Sequence, residues 1–295
     1  MALAALIYGG WAALTFYHAA LPPWLLVGLG AWLIAWHSSL QHEIVHCHPT
    51  RWPRVNLALG FPPLSLWLPY ARFPMTHLVH HRDEALTDPL DDPESFYLTP
   101  AQWQQRHRLT RLLLRVQTTL LGRLIIGPAW TVGRFLIGEA RAIGAGDRQR
   151  AAIWAAHLVG VAVILYWLIA ICHLSVIFYL AALVYPGTAL LLVRSFAEHR
   201  AAPGISERIA IVENAWILGP LFLFNNLHAA HHERPEIPWY ELPRWYRANR
   251  ERLIRANGGL VYDGYGEVAR RFLLRAHDTP IHPYGGVIRS AAPSS

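Results

Sequence analysis

The stretch AAIWAAHLVGVAVILYWLIAICHLSVIFYLAALVYPGTALLLV, residues 151–193, contains no Asp, Glu, Lys or Arg. A second charge-free stretch opens the chain and runs from Met1 to His42. At 1.5 Å rise per residue, about 42 residues of helix reach roughly 60 Å, twice the ~30 Å hydrocarbon core of a bilayer. Each stretch therefore suits a helical hairpin that crosses twice. Pro22-Pro23 divides the first into spans at about 3–19 and 24–41, and Cys172-His173 divides the second into about 151–171 and 174–193. Two buried helix pairs of a large soluble core are the competing reading. The uncharged turns and the scattered Trp and Tyr favour the membrane.

The rest of the composition agrees. Of 295 residues, 54% are hydrophobic and only 15% charged, against about a quarter charged in an ordinary soluble domain. With two cysteines, Cys47 and Cys172, the chain cannot build a Cys-based zinc ribbon, an iron–sulfur cluster or a disulfide scaffold. All 26 basic residues are Arg, none precedes Arg51, and they fall in the segments that follow each hairpin. The positive-inside rule then places both termini and the region between the hairpins in the cytoplasm. The net charge of +7 is accounted for by this bias, so no nucleic-acid partner is expected. A cleaved signal peptide is not expected either, because the N-terminus lacks a positive n-region.

Three further apolar stretches test this plan. Val55–Tyr70 contains Pro62-Pro63, Leu112–Ile137 is interrupted by Arg115, Arg123 and Arg134, and Ile209–Phe224 contains Glu213, Asn214 and Pro220. Each is read as an amphipathic or re-entrant segment on the cytoplasmic face. The expected fold is thus an all-α integral membrane protein with four transmembrane helices in two hairpins. A cytoplasmic helical cap (42–150 and 194–290) completes one domain over 1–290, and residues 291–295 form a frayed tail. The expected location is an inner (plasma) membrane of bacterial type.

Histidine supplies the chemistry. Of 17 His, nine fall in four groups: His42-Glu43-Ile44-Val45-His46, His77-Leu78-Val79-His80-His81, His199, and His228-Ala229-Ala230-His231-His232. On a helix, positions i, i+3 and i+4 share one face, so each group can aim imidazoles at a common point. Neutral imidazole suits Fe, Cu, Zn or Ni. Nine ligands exceed the capacity of one metal, so two are implied. A single H-x-x-H-H is a weak signal, whereas two copies plus an H-x-x-x-H on one membrane side form a strong one. A shared centre also requires that neither Val55–Tyr70 nor Ile209–Phe224 cross the bilayer.

At these residues the sequence resembles the integral-membrane fatty acid desaturase and hydroxylase superfamily. HEIVH, HLVHH and HAAHH match its three histidine boxes in order, over a chain segment reaching from Met1 to about Tyr246. The resemblance implies two irons held by His42, His46, His77, His80, His81, His199, His228, His231 and His232, with no catalytic residue beyond these ligands. It implies O2 as co-substrate, removal of hydrogen from an unactivated C–H bond, and a fatty acyl or related lipid substrate whose alkyl chain enters the apolar body. Desaturation is the expected reaction, and hydroxylation by a monooxygenase of the same superfamily is the alternative. In the family's characterised animal members an Asn lies four residues before the extra His. Here that position is Ser195, and Asn225, Asn226 and His48 are the residues that could join the site instead. Electrons must come from a separate ferredoxin- or cytochrome-type donor with its reductase, since the chain has no C-x-x-C pair and no Gly-rich dinucleotide loop. His282-Pro283-Tyr284-Gly285-Gly286 faintly resembles the haem-ligating motif of fused cytochrome domains, without room for such a domain after it.

Two other classes compete. His42-Glu43-x-x-His46 is literally the H-E-x-x-H signature of zinc hydrolases, with Glu as general base, but a membrane zinc metalloprotease would leave seven His without a role. A metal transporter would place its ligands inside the spans, where only His37 and His157 lie. Those two and His173 are read as packing or interfacial histidines. Asp88, Asp91, Asp92 and Glu94 are read as a solvated loop or as groups that orient imidazoles. Trp239, Tyr240, Trp245 and Tyr246 are read as an interfacial aromatic belt.

Overall fold

The computed structural model describes residues 1–284. The expected frayed tail, and the glycines that follow Tyr284, lie outside the described residues. The chain divides into two compact units. One comprises Met1–Met75, Gly127–Leu192 and Leu221–Leu223; the other comprises Thr76–Ile126, Val193–Pro220 and Phe224 onward.

The first unit is a helical bundle. Its first two helices are Ala2–Phe16 and Pro23–Val45, with Pro23 at the first turn of the second, where its missing N–H costs nothing. Arg148–Tyr166 continues through a π-helical turn, Trp167–Ile171. After a bend in which the Ser175 hydroxyl accepts from the Phe178 amide, the chain runs on through Val176–Tyr179, Leu180–Val184 and Tyr185–Glu198. Three helices are long and apolar enough to cross a membrane: Leu120–Gly144, Arg148–Ile171 and Val176–Glu198. The last two coincide with the expected second hairpin. Ala2–Phe16 has 15 residues, or about 22 Å, which is short of the ~30 Å core. Pro23–Val45 has the length but carries His37, Ser38, Ser39, Gln41, His42 and Glu43 toward its C-terminal end.

Leu120–Gly144 differs from the expectation of a broken interfacial segment. It is one continuous helix of 25 residues with Pro128 inside it. Arg123, which interrupts the apolar pattern in the sequence, is buried with its guanidinium over the rings of Phe96 and Phe196.

Close backbone approach joins the helices Pro23–Val45 and Tyr185–Glu198. A Cβ on Gly187 would lie 2.6 Å from Ile34 Cβ, and one on Gly30 would lie 2.3 Å from Leu183 Cγ. Small residues at such crossings are the usual device where lipid removes the hydrophobic drive for helix association. Polar tethers add direction: the Trp11 indole donates to the Tyr179 hydroxyl at 2.9 Å, which donates to the Leu64 carbonyl at 2.6 Å. Glu139, also buried, accepts from Arg72 at 3.0 Å and from the Trp154 indole at 3.0 Å. His157 bonds the Leu66 carbonyl at 3.0 Å, the packing role expected of it. The outer surface is apolar, with Val159 at 66%, Val163 at 64% and Ile177 at 81% exposure.

The second unit is built from short elements around Leu86, Ile211, Leu227, Ala230, Leu242 and Leu253. Its helices include His228–Glu233, Leu242–Ala256 and Tyr265–Phe272. An all-α reading omits one feature: Ile211–Val212 pairs in parallel with Val261–Tyr262. Two-residue strands carry no alternation that could announce them.

Candidate metal centre

Six of the eight box histidines, together with His199, lie in the second unit, and local structure explains how they converge. His77 and His80 lie on the helix Arg72–His80, and His81 follows with its amide bonded to the His77 carbonyl. His228, His231 and His232 occupy the one-and-a-half turns of His228–Glu233, all three buried. His199 stands just beyond Glu198 in an isolated antiparallel bridge with Ile209.

These seven residues divide into two sets. His80, His199, His228 and His232 offer ligand nitrogens that all lie within 4.8 Å of one another. The Nε2···Nε2 distances are 3.0 Å for His80–His199, 2.9 Å for His228–His199 and 3.1 Å for His232–His228. His77, His81 and His231 form the other set, with 3.0 Å between His77 and His81 and 3.2 Å between His81 and His231. The two boxes contribute in opposite senses. In the box at 77–81 the i and i+4 residues enter one set and i+3 enters the other; in the box at 228–232 the i and i+4 residues enter the set that took His80. In the first unit, His42 and His46 stand one turn apart at the end of Pro23–Val45, with ring centroids 5.1 Å apart.

Each set is braced from behind. His80 Nδ1 meets Asp92 Oδ1 at 3.0 Å and His77 Nδ1 meets Glu94 Oε1 at 2.9 Å. His228 Nδ1 lies 3.1 Å from Asn225 Oδ1 and 3.3 Å from Glu198 Oε1, and His199 Nδ1 faces the Arg208 carbonyl at 3.3 Å. A ring whose Nδ1–H is committed this way presents the Nε2 lone pair, the form a metal takes.

Electrostatics favours neutral rings. Burial, followed by the charge of neighbouring imidazoles, holds His199, His228 and His232 well below the ordinary histidine range. His80 is the exception: burial opposes its charge, but Glu94 and Asp92 outweigh burial and push it up to about 9. Burial also works against ionisation of Glu94, but His77 and His80 keep it far below the usual carboxylate range. Among these four rings, His80 alone is pushed toward its charged form.

The donor set, all imidazole, fits a first-row transition metal ion. Two nitrogens at about 2.1 Å from a metal are about 3.0 Å apart at a right angle and about 3.4 Å apart at the tetrahedral angle. Spacings of 2.9–3.2 Å between neighbouring ring nitrogens are compatible with ligands converging on one ion. The residues suggested as extra ligands lie in varied surroundings. Asn225 braces His228, and the Asn226 amide donates to the Val212 carbonyl at 2.7 Å. Ser195 Oγ has no hydrogen-bond partner among the described residues. His48 is in the first unit, two residues beyond His46. His282, in the faint haem-like motif, bonds the Thr87 hydroxyl at 3.2 Å.

Compared with known families, residues 2–264 match the model described as fatty acid desaturase. Compared with curated proteins, the chain matches none.

Proposed function

The chain belongs to the fatty acid desaturase family, and from that premise we propose that it is an O2-dependent di-iron membrane oxidoreductase that desaturates a fatty acyl or related lipid chain. One observation carries the reading: two sets of imidazoles in the second unit, their nitrogens about a right-angled ligand spacing apart, each set braced through Nδ1. The resemblance adds His42 and His46, one turn apart at the end of Pro23–Val45, to the metal ligands. When bound, the iron pair supplies the activation of O2 needed to attack an unactivated C–H bond. The protein's own groups hold the metals, orient the rings and exclude water: His80, His228 and His231 are 3%, 2% and 3% exposed. No electron carrier is evident in the sequence, so a separate ferredoxin- or cytochrome-type donor with its reductase is part of the proposal.

Four crossings with the boxes on the cytoplasmic face complete the reading, and parity supports it. His80 and His199 meet at 3.0 Å within one unit, so the chain between them must cross the bilayer an even number of times. Arg148–Ile171 and Val176–Glu198 account for two crossings. Leu120–Gly144, although long enough, then runs along the membrane face, where Arg123, Arg134 and Arg141 are accommodated.

Metal analysis and product analysis test this together. Purified protein should hold about two irons per chain, and lipids of an expressing host should show the loss of two hydrogens. A gain of one oxygen would make the enzyme a hydroxylase. Stoichiometric zinc without iron would overturn the reading in favour of the hydrolase signature at His42-Glu43-x-x-His46.

A further inference from the structure

Resting on that metal-binding reading, we propose that Asp92 and Glu94 are positioning residues that select the ring nitrogen presented to each metal, one carboxylate per metal set. Both lie in the segment Thr87–Ser95 that follows the second box. Asp92 is 5% exposed, and its carboxylate meets three nitrogen donors. Oδ1 takes His80 Nδ1 at 3.0 Å and the Glu94 amide at 2.9 Å, and Oδ2 takes the Thr87 amide at 2.9 Å. Because Asp92 closes an Asx turn onto the Glu94 amide, it also sets where Glu94 begins. The Glu94 carboxylate then reaches His77 Nδ1 at 2.9 Å. Two acids two residues apart thus brace two histidines three residues apart, and those two histidines belong to different metal sets.

The segment carrying the acids is itself anchored. Ser95 Oγ donates to the Thr87 carbonyl at 2.9 Å, the Thr87 hydroxyl pairs with His282 Nε2 at 3.2 Å, and Leu98 bridges to Ile281. Anchoring matters because a ligand held loosely by even an ångström loses much of its metal affinity. A neutral imidazole has one N–H and one lone pair. A carboxylate at Nδ1 removes the alternative tautomer, in which Nε2 would carry the hydrogen and could not bind metal. An Asn at position 92 cannot substitute, because its one oxygen and one NH2 would face three N–H donors. A Gln at position 94 can still accept through its oxygen but loses the charge that raises ligand basicity.

Co2+ is the probe: the chelated full-length protein in detergent is titrated with Co2+, read by its d–d absorption and by metal content. The wild type should take up two Co2+ per chain. Asp92→Asn should weaken one site by about 10–100-fold and leave the other, and Asp92→Glu should partly restore it. Glu94→Gln should weaken the other site, by less. Combined with His80→Ala, Asp92→Asn should add nothing, whereas Glu94→Gln should weaken the remaining site as it does alone. If Asp92→Asn proves too unstable to purify, Glu94→Gln and Asp92→Glu carry the test, since the Glu94 side chain is 34% exposed. Variants that bind two Co2+ with wild-type affinity and spectrum would overturn the proposal, as would an equal loss at both sites from either substitution. A wild-type chain that binds no metal would overturn the metal-binding reading and this inference with it.

Discussion

Substituting His277 by Gln should flatten the pH dependence of stability between about pH 4 and 6.5. His277 lies outside both metal sets. Its Nε2 pairs with the Tyr262 hydroxyl at 2.9 Å, and its ring centroid lies 4.7 Å from that of Phe272 and 5.0 Å from that of Phe196. Burial is the main cause that lowers it to about 4, with Arg200 and Arg123 adding to the effect against Asp278. The unfolded chain has a histidine near 6.5. Between the two values the unfolded state binds a proton that the folded state refuses, so stability falls as pH drops below 6.5 and levels off near 4. At 1.36 kcal/mol per unit, a drop from 6.5 to about 4 corresponds to at most about 3 kcal/mol. The ring retains some solvent contact, so the measured figure should be smaller. Urea unfolding of the metal-free protein in detergent, from pH 4 to pH 8, reads the effect as the difference between wild type and His277→Gln. The metal ligands and carboxylates titrate in both proteins and cancel. The two stabilities should run parallel above pH 7 and converge toward pH 4 by a substantial fraction of that amount. Curves that stay parallel throughout would refute the assignment of His277 as a buried neutral ring.

Two other predictions follow from packing and from the division of the histidines. Gly187→Ala should lower stability by about 1–3 kcal/mol, because its Cβ would meet Ile34 Cβ at 2.6 Å and the Ala31 carbonyl oxygen at 3.0 Å. Gly28→Ala, in open space, should be neutral or stabilising; thermal unfolding that ranks the two alike would contradict the crossing. For the metal sets, His77→Ala and His231→Ala should each remove the same site, so that the double variant loses no more Co2+ than either single one. His231→Ala combined with His80→Ala should lose both sites, and metal content that fails to show this pattern would contradict the division.

Part of the helix plan was legible in residue order. Charge-free length measures itself against a bilayer, so 151–193 announced two helices long and apolar enough to cross one, without knowledge of contacts. Leu120–Gly144 was not legible as one helix, because Arg123 reads as an interruption until Phe96 and Phe196, distant in sequence, are seen to cover its guanidinium. The paired strands at 211–212 and 261–262 were equally silent, since each is defined by its partner across the fold.

The candidate site shows the same division. Helical periodicity identifies which side chains share a face, and that is a local property; the three boxes could therefore be read directly. Which histidine serves which metal depends on the directions in which two short helices meet, and no local spacing carries that information. Identical H-x-x-H-H strings consequently divide in opposite senses, His80 joining His228 and His232 while His231 joins His77 and His81. The roles of Asp92 and Glu94 were likewise open between a solvated loop and a brace. The turn that brings them to His80 and His77 is held by His282 and Ile281 from the far end of the chain, and only the folded structure could decide between the two.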